Sequence, residues 1–403
     1  MTPVLDLRRH VAAGDGVWWG QAAAEAAPLV DALYEQVGDI GPVRGFCGIA
    51  PVRRPRPEHL TVVSYGAMGE LRRTAGLEVV PAHYSQLPRL FAQRLLPGDV
   101  GLVQVAPPGP DGTCSLGIGV DYAADAARWS RTLIAEINHR MPRTSGTPGI
   151  PLDRFAAVVE TDRPLPVFPD RAPDDVDEAI AAHVAGLVAD GDTIQLGVGS
   201  LPAAVLDGLS GHRDLGVHSG MITDGVLRLI DRGVVTGRHK EIDPGVVVTG
   251  AALGSASLYS RLGDVPIEFR PAGYTHGAAV LARLTRLVSI NAALQVDLTG
   301  QVNGESVGGR YLGGVGGQAD FSGAAARTGA RSVIALRSTS GGASTIVPLL
   351  DGGTVTTARA DVDTVVTEHG VAHLRGCPLA DRPARIAAIA APQHRETLLK
   401  GSR

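Results

Sequence analysis

An internal repeat is the sequence feature that most constrains the fold. The stretch HVAAGDGVWWGQAAAEAAPLVDAL, residues 10–33, aligns with GLVADGDTIQLGVGSLPAAVLDGL, residues 186–209. Residues 103–117 then align with residues 294–308, in the same order. Identical residues of the first alignment include Gly14 with Gly191, Asp15 with Asp192, and Gly20 with Gly197. Two matches in one order favour two halves of similar architecture over chance.

Each half has the pattern of a helix, a short strand, a glycine-rich turn and a second helix. In the second half Val176, Ile180 and Val184 recur at helical spacing, and TIQLGV is typical of a buried strand. Ser200 is a possible helix cap, with Pro202 in the first turn that follows. Later apolar runs, RSVIAL and VDTVVTEHGV, continue the alternation. We therefore expect an α/β protein with mostly parallel sheets, whose ligands bind beyond the carboxyl ends of the strands.

A segment rich in proline and acidic residues separates the two halves. With 403 residues, the chain is long enough for two to three domains at about 100–200 residues each. We predict an N-terminal domain over 1–165, a linker over 166–178 and a C-terminal domain over 179–403.

Composition narrows the classes of function. With 44% hydrophobic and 19% charged residues and a formal net charge of −4, the chain is typical of a globular protein without a basic surface, so a nucleic-acid partner is not expected. No apolar run approaches the ~18 residues of a membrane helix, and the first residues lack the apolar segment of a secretory signal. We expect a cytoplasmic protein without a membrane partner.

The sequence does not predict a metal site. The three cysteines are far apart and lack C-x-x-C spacing. His369 and His373 are four residues apart, but the glutamate of the metalloprotease motif does not lie between them.

Two glycine-rich stretches are candidates for ligand contact. TIQLGVGSLP, residues 193–202, places glycines between a strand and a helix, where backbone amides can face an anion. It is not G-x-G-x-x-G, which disfavours a dinucleotide. YLGGVGGQADF, residues 311–321, lets the main chain approach a ligand closely and offers amides to an oxyanion. A tight turn and a flexible loop are the respective alternatives without function.

Most of the chain from about residue 100 onward resembles the acetyl-CoA hydrolase and 4-hydroxybutyrate CoA-transferase family, a branch of the class I CoA-transferases. The likeness runs through ordered motifs, among them VQVAPPGPDGTCSLGIGVD, IAEINHRMPRTSG, IQLGVGSLPAAVLDGL, LGVHSGMITDGVL, INAALQVDLTGQVNGESVGGRYLGGVGGQADF and VTTARADVDTVVTEHGVAHLRG. The resemblance implies two similar open α/β CoA-transferase domains with the active site in the interdomain cleft. It also implies a coenzyme A thioester as substrate, no tightly bound cofactor, and a homodimer or homotetramer.

The resemblance also implies roles for individual residues. Gln195 lies near the reacting acyl group, the amides of Gly316 and Gly317 serve the oxyanion, and Glu368 is a second acid in the pocket. The residues that we expect to contact substrate or CoA are Asn138, Met141, Pro142, Gln195, Gly197, Val198, Gly199, Gly316 and Gly317.

Gly220 is the main departure from the family pattern. In the family, the turn corresponding to HSGM reads His-Ser/Thr-Glu-Met, and its glutamate is the nucleophile that becomes a glutamyl-CoA thioester. Gly220 has no side chain, so this intermediate cannot form there. The missing glutamate side chain leaves a volume of about its own size, which we expect to be empty. A second departure is Gln295, where relatives commonly carry glutamate.

Three hypotheses follow from Gly220. In the first, water or another nucleophile attacks the bound acyl-CoA directly, with His218 or Glu368 as the general base. In the second, the chain is a non-catalytic acyl-CoA-binding protein or subunit. In the third, a substitute carboxylate such as Glu305 or Glu368 runs the ordinary transferase or hydrolase reaction. The partners would be an acyl-CoA and an acceptor that the sequence does not identify.

Overall fold

The computed structural model describes residues 5–350 and 353–400, which divide into two compact units. One unit runs to Phe168 and includes Thr249–Thr275, and the other holds Pro169–Val248 and the chain from His276 onward. The division after Phe168 falls inside the segment predicted as a linker. Residues 249–275, which the sequence analysis places in the C-terminal domain, belong to the first unit.

The first unit is built on a parallel sheet of seven strands. Their order across the sheet is β7-β6-β5-β1-β2-β3-β4. The strands are β1 (Gly16–Trp19), β2 (Val43–Phe46), β3 (Leu60–Ser64), β4 (Glu78–Val79), β5 (Val100–Val105), β6 (Thr132–Asn138) and β7 (Phe155–Thr161). The helices before the linker are α1 (Ala27–Ile40), α2 (Leu87–Ala92) and α3 (Asp121–Trp129), and two further helices of this unit span Ala256–Arg261 and Ala272–Thr275.

The second unit is built on a six-stranded sheet in the order β9-β8-β10-β11-β12-β13. Its strands are β8 (Thr193–Leu196), β9 (Gly216–Val217), β10 (Leu287–Ala292), β11 (Arg331–Ala335), β12 (Thr364–Thr367) and β13 (Gly370–His373). Neighbouring strands are parallel except for the β12–β13 hairpin. The main helices are α4 (Asp175–Ala185), α5 (Ser200–Gly208), α6 (Asp224–Asp231), α7 (Gln318–Thr328), α8 (Arg382–Ala388) and α9 (Arg395–Lys400), with a short one over Ala278–Leu281.

The predicted α/β class with mostly parallel sheets is therefore confirmed. Some details differ. Ser200 is the first residue of α5 and not its cap, because Gly199 takes the capping position at φ +128° and Ser200 makes no capping hydrogen bond. His369 and His373 lie in the β12–β13 hairpin, where they share no helical face. None of the described helices is long and apolar enough to cross a membrane.

The first of the two repeats is visible as the same turn before the same strand. Gly14 and Gly191 both have positive φ, at +90° and +75°. The next residue in each copy, Asp15 or Asp192, accepts a hydrogen bond from the backbone NH three residues earlier, at 2.9 and 2.7 Å. An arginine pairs with each carboxylate. Each turn leads into a strand that is paired on both sides in its own sheet.

The second match does not join equivalent elements. Gln104 lies on β5 of the seven-stranded sheet, whereas Gln295 lies on a strand of a separate small sheet over Gln295–Asp297. The two matched glutamines therefore do not occupy equivalent strands.

Candidate active site

The turn after β9 carries the residues that matter most, His218, Ser219 and Gly220. The backbone NH of His218 donates to the Ile194 carbonyl of β8 at 3.1 Å, and the Ser219 hydroxyl donates to the Leu196 carbonyl at 3.0 Å. Both side chains are buried, whereas Gly220 is half-buried. Parallel pairing of β9 with β8 thus fixes this turn beside the exposed Gly197–Gly199 turn at the carboxyl ends of the strands.

A buried lysine holds the strand end that leads into this turn. Lys240 is 5% exposed, and its ammonium donates to the carbonyls of Val217 at 3.1 Å and Val246 at 2.6 Å. Gly216 makes room for it, since a Cβ there would lie 2.5 Å from Cγ of Lys240. The lysine therefore ties the end of β9 to the 246–248 segment, and the sequence motifs gave no reason to single it out.

His276 is the second residue that the sequence analysis missed. A Cβ on Gly220 would lie 2.7 Å from Cε1 and 2.8 Å from Nε2 of His276, and a Cβ on Gly317 would lie 2.4 Å from the same Nε2. The ring is buried and packs edge-on against Phe321 of α7, with centroids 5.0 Å apart. The imidazole thus lies against the backbone of both Gly220 and Gly317.

The expectation of an empty glutamate-sized volume beside Gly220 is therefore wrong. The first atom of any side chain at this position would overlap the His276 ring. A side chain at position 220 therefore requires the His276 ring to move.

The His276 imidazole is neutral at physiological pH. Burial is the main cause, and the neighbouring His218 adds to it, so that the pKa of His276 is lowered to about 3. A neutral imidazole can donate or accept a hydrogen bond, but one this weakly basic is a poor proton acceptor.

The glycine-rich loop before α7 is anchored on Glu305. The backbone NH groups of Leu312 and Gly313 both donate to the Glu305 carbonyl, at 2.7 and 2.9 Å. Its carboxylate is buried and accepts hydrogen bonds from Tyr311 and from Thr356. Gly317 caps α7, so the Gly316 and Gly317 amides lie at the start of an 11-residue helix, where backbone amides favour negative charge.

Hydrogen bonds already engage both carboxylates that were considered as substitutes for the missing glutamate, Glu305 and Glu368. Both oxygens of Glu305 are engaged in holding the loop. Glu368 accepts hydrogen bonds from the backbone and the hydroxyl of Ser338, at 2.9 and 2.5 Å. Burial alone would raise the pKa of Glu368, but the Ser338 hydrogen bonds outweigh it and the pKa is lowered.

Glu368 and Gly220 also follow different strands of the sheet. Glu368 follows β12, which is four strands away from β9 in the sheet, and strand spacing of about 4.8 Å puts their ends about 19 Å apart. The structure therefore brings Gly220, His276 and Gly317 together, and it does not bring Glu368 to them.

Gln195 is already engaged within the sheet. Its carbonyl oxygen accepts from the Ser289 hydroxyl at 2.8 Å and from Asn291 at 3.2 Å, and its amide donates to Asn291 at 3.1 Å. Only 4% of the residue is exposed. The role of Gln195 beside an acyl group stays a prediction.

The substrate-contacting residues predicted in the first unit are also packed. The Asn138 amide donates to Gln104 at 2.8 Å and to the Arg163 carbonyl at 3.0 Å. Met141 is buried over Gly117, where a Cβ would lie 2.2 Å from its sulfur, and Pro142 follows it. These contacts give Asn138 and Met141 a structural role, and their contact with substrate stays a prediction.

Comparison with known proteins places the chain in a class of enzymes. The family models of the acetyl-CoA hydrolase/transferase N-terminal and C-terminal domains match residues 72–169 and 254–402. The chain belongs to this family, and activity of the transferase or hydrolase type is supported.

Individual relatives agree with this assignment. A 4-hydroxybutyrate coenzyme A transferase of Clostridium kluyveri is 41% identical over 327 residues, covering 80% of this chain and 76% of the relative. The crystal structure of RipA from Yersinia pestis is 33% identical with a TM-score of 0.90, covering 100% of this chain and 96% of that one. A 4-hydroxybutyrate CoA-transferase structure from Porphyromonas gingivalis is 34% identical with a TM-score of 0.81, covering 97% and 94%.

Proposed function

We propose that this chain cleaves acyl-CoA thioesters by direct transfer of the acyl group to water or another small nucleophile, without a glutamyl-CoA intermediate. The proposal rests on Gly220, which by the family resemblance takes the position of the nucleophilic glutamate. It offers no carboxylate, and the buried ring of His276 occupies the place where a side chain would begin.

The Gly316–Gly317 loop supports the proposed stabilisation of the tetrahedral state. Backbone amides at the start of α7 are suited to the negative charge that develops on the thioester oxygen. The glycines let a thioester approach the main chain closely.

His218 is the proposed general base. It is two residues from Gly220 and interacts electrostatically with His276, whereas Glu368 lies four strands away. We expect His218→Gln to lower kcat by about 10²–10⁴-fold, the usual contribution of a general base. Glu368→Gln serves as the comparison, and a larger loss of kcat there would assign the base to Glu368.

Isotope labelling tests the reaction itself. The protein is incubated with short acyl-CoAs in ¹⁸O-water, with and without ¹³C-acetate, and free CoA, acid and acyl-CoA are followed by mass spectrometry. Direct attack by water predicts CoA release that ignores acetate, with ¹⁸O in the released acid. Label in acetyl-CoA would contradict the proposal and indicate a substitute carboxylate. CoA-ester binding without turnover would favour the non-catalytic alternative.

The cellular location and the oligomeric state of the enzyme also belong to this proposal. We infer a cytoplasmic homodimer or homotetramer from the family resemblance. Light scattering after gel filtration measures the oligomeric state, and a monomer would contradict it.

A further inference from the structure

We propose that His276 is the positioning residue that excludes a carboxylate from the Gly220 turn and holds this turn against the Gly316–Gly317 loop. The inference deepens the proposed function and rests on it in one respect, the placing of Gly220 at the family's nucleophile position. The contacts of the His276 ring stand independently of that placing.

The His276 ring excludes a side chain from position 220 by steric overlap. Real Cβ atoms essentially never approach a neighbour within 3.0 Å, yet a Cβ on Gly220 would lie that close to Cε1 and Nε2 of His276, and a Cβ on Gly317 would lie that close to the same Nε2 and to Cδ2. Neither glycine can therefore be replaced by a residue with a side chain while the ring stays in place. His276 cannot give way easily, because Phe321 of α7 packs against it.

The His276 ring also determines which chemical groups lie beside the Gly220 turn. A buried imidazole that stays neutral fills the space without adding a charge next to the thioester. A carboxylate there would need room and would bring the family's covalent route. In that route a carboxylate oxygen bonds to the thioester carbonyl carbon, and the C–S bond breaks to release CoA thiolate. The thiolate then attacks the glutamyl carbonyl carbon, and the C–O bond of the anhydride breaks to release the acyl group as a carboxylate.

A double-mutant cycle tests the steric part. We expect Gly220→Ala to lower the Tm by roughly 3–10 °C in the wild-type background, as overpacking of a buried site does. The same change should cost less than half as much in a His276→Gly background. Gly225→Ala is the matched control, since its Cβ would lie 2.6 Å from Leu206 instead, and His276→Gly should leave its cost unchanged.

A covalent readout separates positioning from mere packing. Gly220→Glu/His276→Gly, incubated with an acyl-CoA and analysed by intact-mass spectrometry, should carry a glutamyl-CoA adduct that Gly220→Glu alone does not. An adduct on the single variant, the same mass profile for both variants, or equal Tm costs in the two backgrounds would each overturn the proposal. Acetate exchange by the wild type would instead overturn the proposed function, whatever the cycle shows.

Discussion

At the scale of single residues, two buried titratable groups respond to pH in opposite directions. His276 in the second unit has its pKa lowered to about 3 by burial and by His218. Asp121 in the first unit has its pKa raised to about 6, mainly by burial, although Gln21 and backbone NH groups hydrogen-bond to it. The folded state thus resists protonation of the histidine and resists ionisation of the aspartate.

The His276 shift predicts a loss of stability in acid. Between pH 6.5 and pH 3 the unfolded chain binds a proton that the folded chain does not, so the free energy of unfolding falls as the pH is lowered. The effect should reach about 3 kcal/mol by pH 4.5. His276→Gln, which does not titrate, should flatten this part of the profile in urea unfolding at several pH values. An unchanged slope would show that the folded protein protonates His276 normally.

The Asp121 shift predicts the reverse in the first unit. Between pH 3.8 and pH 6 the folded chain retains a proton that the unfolded chain has lost, so stability is full in acid and falls as the pH rises through 6. The cost at pH 7 is about 2–3 kcal/mol. In Asp121→Asn the Tm of the first unit should depend less on pH between pH 4 and pH 7, while the exposed Asp39→Asn should keep the full dependence. A residual dependence is expected from Asp125, whose pKa burial also raises to about 6. Calorimetry at the two pH values measures the difference.

At the scale of elements, two turns carry the candidate site, and glycine has a different meaning in each position. Gly316 has φ +53° and open space around its Cβ position, whereas Gly317 has an ordinary backbone and no space. The first is required by conformation and the second by the His276 ring. A glycine-rich stretch in a sequence does not reveal which of these reasons applies.

Alanine at the two positions should therefore behave differently. Gly316→Ala pays about 1–2 kcal/mol for the left-handed backbone, and His276→Gly should not relieve it. Gly317→Ala overlaps the ring, so we expect a similar or larger loss of stability and a loss of acyl-CoA cleavage, both partly restored by His276→Gly. Melting curves and CoA release are measured for both alanine variants, each with and without His276→Gly. Equal rescue of the two alanines would contradict the different reasons given for the two glycines.

Sequence patterns predicted the local parts of these elements well. TIQL forms β8 because a short apolar run bounded by glycines is buried on both faces, and the next turn leads into α5 as Pro202 indicates. His276 could not be predicted in the same way. It lies 56 positions beyond Gly220 and 41 before Gly317 in the sequence, and no spacing rule links a lone histidine to two distant glycines.

At the scale of the whole molecule, each of the two sheets contains a strand that follows the same kind of turn. Asp192 is almost fully buried and pairs with Arg331 at 3.0 Å, while Asp15 is slightly more exposed and pairs with Arg131 at 2.8 Å. The repeat was recognisable because this turn depends on neighbouring residues. The assignment of residues 249–275 to the first unit depends on distant contacts, which left no local pattern.

The two aspartates should differ in their contribution to stability. Asp192→Asn removes a buried, charged acceptor and should cost about 2 kcal/mol, and Asp15→Asn should cost about 1 kcal/mol because its arginine is more exposed. Each loss should appear in the urea transition of its own unit. Asp207→Asn breaks an exposed pair with Arg228 and should change stability by less than about 0.5 kcal/mol. Equal costs at all three positions would contradict the role of the repeated turn.

The packing of one ring against two glycines also constrains how this enzyme can be altered in the laboratory. A library that varies only position 220 passes through proteins whose new side chain collides with a buried imidazole, so selection for stability disfavours them whatever their chemistry. Mutagenesis that shortens position 276 first opens a path on which glutamate, serine or cysteine at 220 can be sampled in folded proteins. The order in which the two positions change therefore decides which catalytic chemistries are accessible from this sequence.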